Sequence, residues 1–118
     1  MPLEAGGAPR TGNLRQDLPS EPLPEELVGI LLKRPGLRIE RIVSTGQATP
    51  DGDWYDQEGD EFVLLVAGAA RLRIEGEADD RALEAGDWVC LAAHCRHRVT
   101  WTRAEPPTVW LAVHFGAD

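Results

Sequence analysis

From Leu37 onward the chain is a series of short runs rich in β-branched and apolar residues, each cut off by glycine, proline or aspartate. These runs are Leu37–Val43, Glu61–Ala67, Ala70–Glu75, Trp88–Leu91, Arg96–Thr102 and Thr108–Phe115. Runs of this length and composition read as strands. Six or more of them at close spacing predict an antiparallel sandwich or barrel. The exception lies upstream, where Pro24–Arg34 has acids in its first turn, bases in its last, and Leu27, Ile30 and Leu31 on one helical face before Pro35-Gly36. That pattern predicts one short helix near Glu25 to Lys33. The expected chain is therefore all-β with a single N-terminal helix, divided into an arm over residues 1–22 and one domain over residues 23–118. The arm, rich in Gly, Pro and small or charged residues, is expected to wander or to lie across the domain surface.

The totals exclude several classes of function. At 118 residues the chain has length for one core. A formal net charge of −8 argues against nucleic acid and anionic membrane as partners, because both need a basic face. No apolar run approaches the roughly 20 residues that span a bilayer, and the N-terminus lacks a secretory pattern, so a cytoplasmic location is expected. Cys90 and Cys95 flank a predicted turn and read as two reduced thiols. No nucleophile elbow, phosphate loop or Cys-x-x-Cys appears, which disfavours covalent catalysis and nucleotide binding.

The two-residue period of a strand assigns side chains to faces. Leu72 and Ile74 oppose Arg71, Arg73 and Glu75, while His97, Val99 and Trp101 oppose Arg96, Arg98 and Thr100. His97 is thereby placed inward among apolar neighbours, where it needs a hydrogen-bond partner or a metal. Upstream, Asp51–Glu61 carries six acids and no base. Tyr55, Gln57 and Glu61 share parity with Val63 and Leu65, so an unbulged strand turns all three toward the interior that His97 faces. Phenol, amide, carboxylate and imidazole converging there suit either a divalent ion with mixed oxygen and nitrogen ligands or a metal-free polar pocket. The Glu61–Val66 and Val109–Val113 runs are apolar on both faces, which predicts that a second layer or a homodimer partner covers one of them.

Over Leu37 to Phe115 the chain resembles a small single-domain cupin. That family's first motif has the form G-x5-H-x-H-x3 or 4-E-x6-G and its second G-x5-P-x-G-x2-H-x3-N; Glu61 with Gly68 matches the end of the first, and Gly86 with His97 the frame of the second. The resemblance implies an antiparallel double-stranded β-helix, or jelly-roll barrel, with a small-molecule pocket. The two histidines of the first motif fall on Tyr55 and Gln57 in one register, or on Trp54 and Asp56 in the other. Ala92, His94 and Trp101 replace the proline, glycine and asparagine of the second.

Two functions are therefore carried forward. In the first, Gln57, Glu61 and His97 hold a divalent ion (Zn, Fe, Mn or Ni), and Tyr55 or His94 moves a proton in a metal-dependent reaction. Dioxygenases, isomerases, lyases and decarboxylases all share the fold, which does not choose among them. In the second, the pocket is a non-catalytic sensor or store that binds a small ligand without metal. His114 is a reserve candidate, and Trp54 and Trp101 are expected either to wall the pocket or to plug it.

Overall fold

A computed structural model describes residues 7–116. Eight strands run through them: β1 (Leu27–Arg34), β2 (Leu37–Ser44), β3 (Asp60–Ala67), β4 (Ala69–Ile74), β5 (Arg81–Glu84), β6 (Trp88–Leu91), β7 (His97–Thr102) and β8 (Thr108–Phe115). All pair antiparallel, in a five-stranded sheet ordered β1-β2-β8-β3-β6 and a three-stranded sheet ordered β5-β4-β7. The inner faces meet around Leu65, Leu72, Leu83, Val89, Leu91 and Trp110, all buried. None of the described residues forms a helix long and apolar enough to cross a membrane.

The helix predicted over Glu25 to Lys33 is instead β1. Pro35-Gly36, which reads as a helix stop, is the two-residue turn of a β1–β2 hairpin: Arg34 pairs with Leu37 and Gly36 has φ 72°. Proline followed by a residue at positive φ is the requirement of a tight type II turn. Val28 and Ile30 are β-branched, Gly29 weakens a helix, and a helix this short is marginal in water. Pairing with β2 gives β1 a ladder of backbone hydrogen bonds along one side and covers the outer side of β2.

Before β1 the chain passes over the β1–β2 hairpin. Arg10 donates to the Leu31 carbonyl, Arg41 donates to the carbonyls of Gln16 (2.6 Å) and Leu14 (3.2 Å), and the Leu23 amide donates to Thr45 Oγ1 at 2.9 Å. The first six residues of the arm lie outside the described residues.

A second departure is on β7. Its pairing with β4 slips between Arg71 and Leu72, so that Trp101 faces Arg71 and Val99 faces Leu72. The extra residue reverses the parity beyond it. Trp101 therefore points outward beneath the Arg71 guanidinium, 5.6 Å from its ring centre, and Thr102 takes the buried position. The expectation that Trp101 shares the face of His97 fails at this bulge.

Candidate functional site

Between the two sheets lies a cavity of about 510 Å³. Its position follows from strand parity. On β3, Glu61 and Val63 turn inward; on β8, Trp110, Ala112 and His114; on β2, Arg38, Glu40, Ile42 and Ser44. Glu61 lies opposite His114, and His114 opposite Arg38, so the three polar side chains form a row across the sheet. Leu72, Leu83, Val89, Leu91 and Val99 supply the apolar part of the lining.

His97 faces this row from β7. Its backbone exchanges hydrogen bonds with Tyr55 (2.7 and 3.1 Å), an isolated bridge that fixes the strand start. Its Nδ1 lies 2.8 Å from the Cys95 carbonyl. A carbonyl only accepts, so Nδ1 carries a proton and Nε2 is the atom presented to the cavity. Nε2 is 3.6 Å from Glu61 Oε1, beyond hydrogen-bond length, and that oxygen is buried without a hydrogen-bond partner. Burial alone would depress the His97 pKa; the facing Glu61 carboxylate and the Cys95 carbonyl outweigh it and hold the pKa above its ordinary value.

A second imidazole stands on the other side of the same carboxylate. His114 Nε2 is 3.0 Å from Glu40 Oε1 and 3.8 Å from Glu61 Oε2, and Arg38 Nε lies 3.1 Å from Glu40 Oε2. Sequence reasoning held His114 in reserve because β8 is apolar on both faces. Only its register with Glu61 places it inside.

Tyr55 and Gln57 both line the cavity, and the Tyr55 ring stacks on His97 with centroids 5.4 Å apart. Burial, followed by the charge of Glu26, pushes the Tyr55 phenol upward, so it stays a neutral donor. His94 is not among the cavity residues. It occupies a turn at φ 62°, where Nδ1 meets Asp56 Oδ1 at 2.7 Å in a largely exposed pair. Of Asp56 and Gln57, Gln57 lines the cavity while Asp56 pairs with His94. Trp54 lies under Arg96 and Arg98, so neither it nor Trp101 fills the cavity; Trp110 lines it and donates from Nε1 to Ser44 Oγ at 3.1 Å.

The donor set does not make a conventional metal centre. Among the described residues no group of three or more His, Cys, Asp or Glu side chains is arranged to hold an ion. Tyr55 and Gln57 line the cavity beside Glu61 and His97, and neither a phenol nor an amide is a strong metal ligand at neutral pH.

Residues 42–114 match the family model described as "Cupin domain". A protein from Ralstonia eutropha JMP134, named provisionally a mannose-6-phosphate isomerase, is 51% identical over 92% of this chain and 100% of its own, with a TM-score of 0.89. A cupin superfamily protein from Desulfitobacterium hafniense DCB-2 shares the fold at 18% identity and a TM-score of 0.66, covering 87% of this chain and 97% of its own. A conserved protein of unknown function from Streptococcus pyogenes does so at 19% identity and 0.71, covering 95% and 91%. No functionally curated protein matches the chain. The chain belongs to the cupin family.

Proposed function

We propose, from its place in the cupin family, that the chain binds a small hydrogen-bond-donating organic molecule in the barrel cavity, without a resident metal. One observation carries the reading. Glu61 Oε1 and His97 Nε2 face each other at 3.6 Å with no hydrogen bond between them. When His97 is neutral, both atoms are acceptors, and a desolvated pair of acceptors is costly until a donor enters between them. Gln57 and the Tyr55 phenol add an amide and a hydroxyl to the same lining. A ligand that donates to Glu61 and His97 and rests on the apolar wall satisfies all of these groups at once.

The same unpartnered oxygen favours a second reading, in which Gln57, Glu61 and His97 hold a divalent ion for an enzyme. Melting curves of the full chain separate the two. A ligand present at a hundred times its Kd adds about 2.7 kcal/mol to the folded state, an easily read rise in melting temperature. The expected result is that some small polar molecule raises the melting temperature, that His97→Ala abolishes the rise, and that Zn²⁺, Fe²⁺, Mn²⁺, Ni²⁺ and Co²⁺ produce none. A metal-induced rise that His97→Ala removes would establish the metal reading instead. If neither metals nor small molecules shift the wild-type chain, the pocket is not a binding site.

The proposal includes a homodimer and a cytoplasmic setting, in keeping with the free Cys90 and Cys95 thiols. Leu27, Val28 and Ile30 are exposed on β1, an edge strand of the larger sheet, and Trp88 is 62% exposed over Phe62 on β6 and β3. Such surface favours pairing with a second copy. Sedimentation at micromolar concentration should give twice the 12.9 kDa chain mass; a monomer at that concentration refutes the dimer.

A further inference from the structure

We propose that the ligand of this cavity is an amphiphilic amine, its apolar body against the Leu72–Leu91–Val99 wall and its protonated amino group on Glu61. This rests on the binding reading above and names its chemical class. The charged groups lining the cavity are Glu25, Glu26, Arg38, Glu40, Glu61 and the two imidazoles of His97 and His114. Four carboxylates thus stand against one permanent cation. Even with both imidazoles protonated, the lining does not become positive. An anionic ligand would enter a field of its own sign, in walls of low dielectric where that repulsion is strong.

The carboxylates have different vacancies. Glu40 Oε1 is engaged by His114 Nε2 at 3.0 Å, and its Oε2 lies 3.1 Å from an Arg38 Nε that makes no hydrogen bond. Glu26 lies at the exposed mouth, where it accepts from Ser44 Oγ at 3.3 Å. Glu61 differs from both. Its side chain is only 9% exposed, its Oε1 is buried, and no donor reaches that atom. A desolvated carboxylate oxygen with a free acceptor site gains most from a charged N–H donor, whose hydrogen bond is about twice as strong as a neutral one. The protein has already met the cost of burying this charge, so the ligand need only bring its own.

The provisional name of the Ralstonia relative would direct attention to a sugar phosphate. The cavity opposes that choice here. Arg38, the one guanidinium among the described lining residues, lies 3.1 Å from Glu40 with its buried Nε making no hydrogen bond, and a phosphate dianion drawn to it would still have to approach Glu26, Glu40 and Glu61.

The test compares three probes of one shape and different charge, benzylamine, benzyl alcohol and benzoate, titrated into the full chain at pH 7 and followed by calorimetry. Benzylamine should bind about tenfold more tightly than benzyl alcohol, the difference between a charged and a neutral donor, and benzoate should bind most weakly. Glu61→Gln should erase the amine's advantage and leave the alcohol nearly unchanged. Glu26→Gln, at the solvent-exposed mouth, should weaken the amine about threefold by removing long-range attraction. It serves as the measure if Glu61→Gln does not fold. Alcohol or benzoate binding as tightly as the amine overturns the amine assignment and leaves the pocket proposal standing. No binding by any of the three at millimolar concentration overturns both.

Discussion

Gly68→Ala should lower the stability of the chain by about 4 kcal/mol, roughly a quarter or more of what a domain of this size has to lose. Gly68 joins β3 to β4 at φ +87°, and a Cβ there would stand 2.5 Å from Thr108 Oγ1 and 2.6 Å from Thr108 Cα. The second contact is with backbone, which no rotamer change relieves. Thr108 is itself fully buried and tied by its hydroxyl, which donates to the Arg103 carbonyl at 2.9 Å. Steric overlap and the positive φ therefore add. Gly76→Ala is the control: its φ is +91°, but a Cβ there meets nothing within 4 Å. It should cost only the conformational penalty, about 1–2 kcal/mol. Urea unfolding of both variants measures the difference. Equal losses would mean that the close approach of Gly68 to Thr108 contributes nothing.

His97→Ala should cost about 3 kcal/mol at pH 6, because it removes the imidazolium that faces the buried Glu61 carboxylate at 3.6 Å. Among the described residues His114 is the only other imidazole against Glu61, its Nε2 lying 3.8 Å away, and it is already engaged by Glu40. His94→Ala, which breaks only an exposed contact with Asp56, should stay within about 0.5 kcal/mol. The same pair sets a pH dependence. The folded-state pKa of His97 lies above its ordinary value of 6.5, so the folded state holds a proton more tightly than the unfolded one. The resulting stabilisation is fully present below about pH 6.5 and is lost as the pH rises through the higher folded value. The wild-type chain should therefore lose stability across that window, and His97→Ala should show a flatter profile there. Parallel profiles for the two proteins would place the titrating group elsewhere.

Much of this was legible in the residues themselves. Runs of β-branched and apolar residues located β2, β3, β4, β6, β7 and β8 to within a residue or so, because such side chains suit a pleated, half-buried surface and because glycine and proline mark the turns. The inward direction of Glu61 and His97 followed from strand parity, and the Glu61–Gly68 and Gly86–His97 frames carried the family. What failed did so where local and long-range signals compete. The Pro24–Arg34 segment has the charge order of a helix, yet its hydrogen bonds are better satisfied against β2. Trp101 obeys its period until the slip in the β4–β7 pairing, which no residue of β7 announces.

The polar row of the cavity shows most clearly where sequence stops. The residue types and their alternation were set locally, since each strand's face depends on its own period. Which strand stands beside which was not. His114 is more than fifty residues from Glu61 and more than seventy from Arg38, yet the register of β2, β8 and β3 places them side by side. A run apolar on both faces gives no preference for either; the choice is made only when the larger sheet closes over the smaller and one face must be dry. The unpartnered Glu61 oxygen is likewise a product of assembly. Burial depends on what covers an atom, and what covers Glu61 comes from strands that its own sequence does not contain.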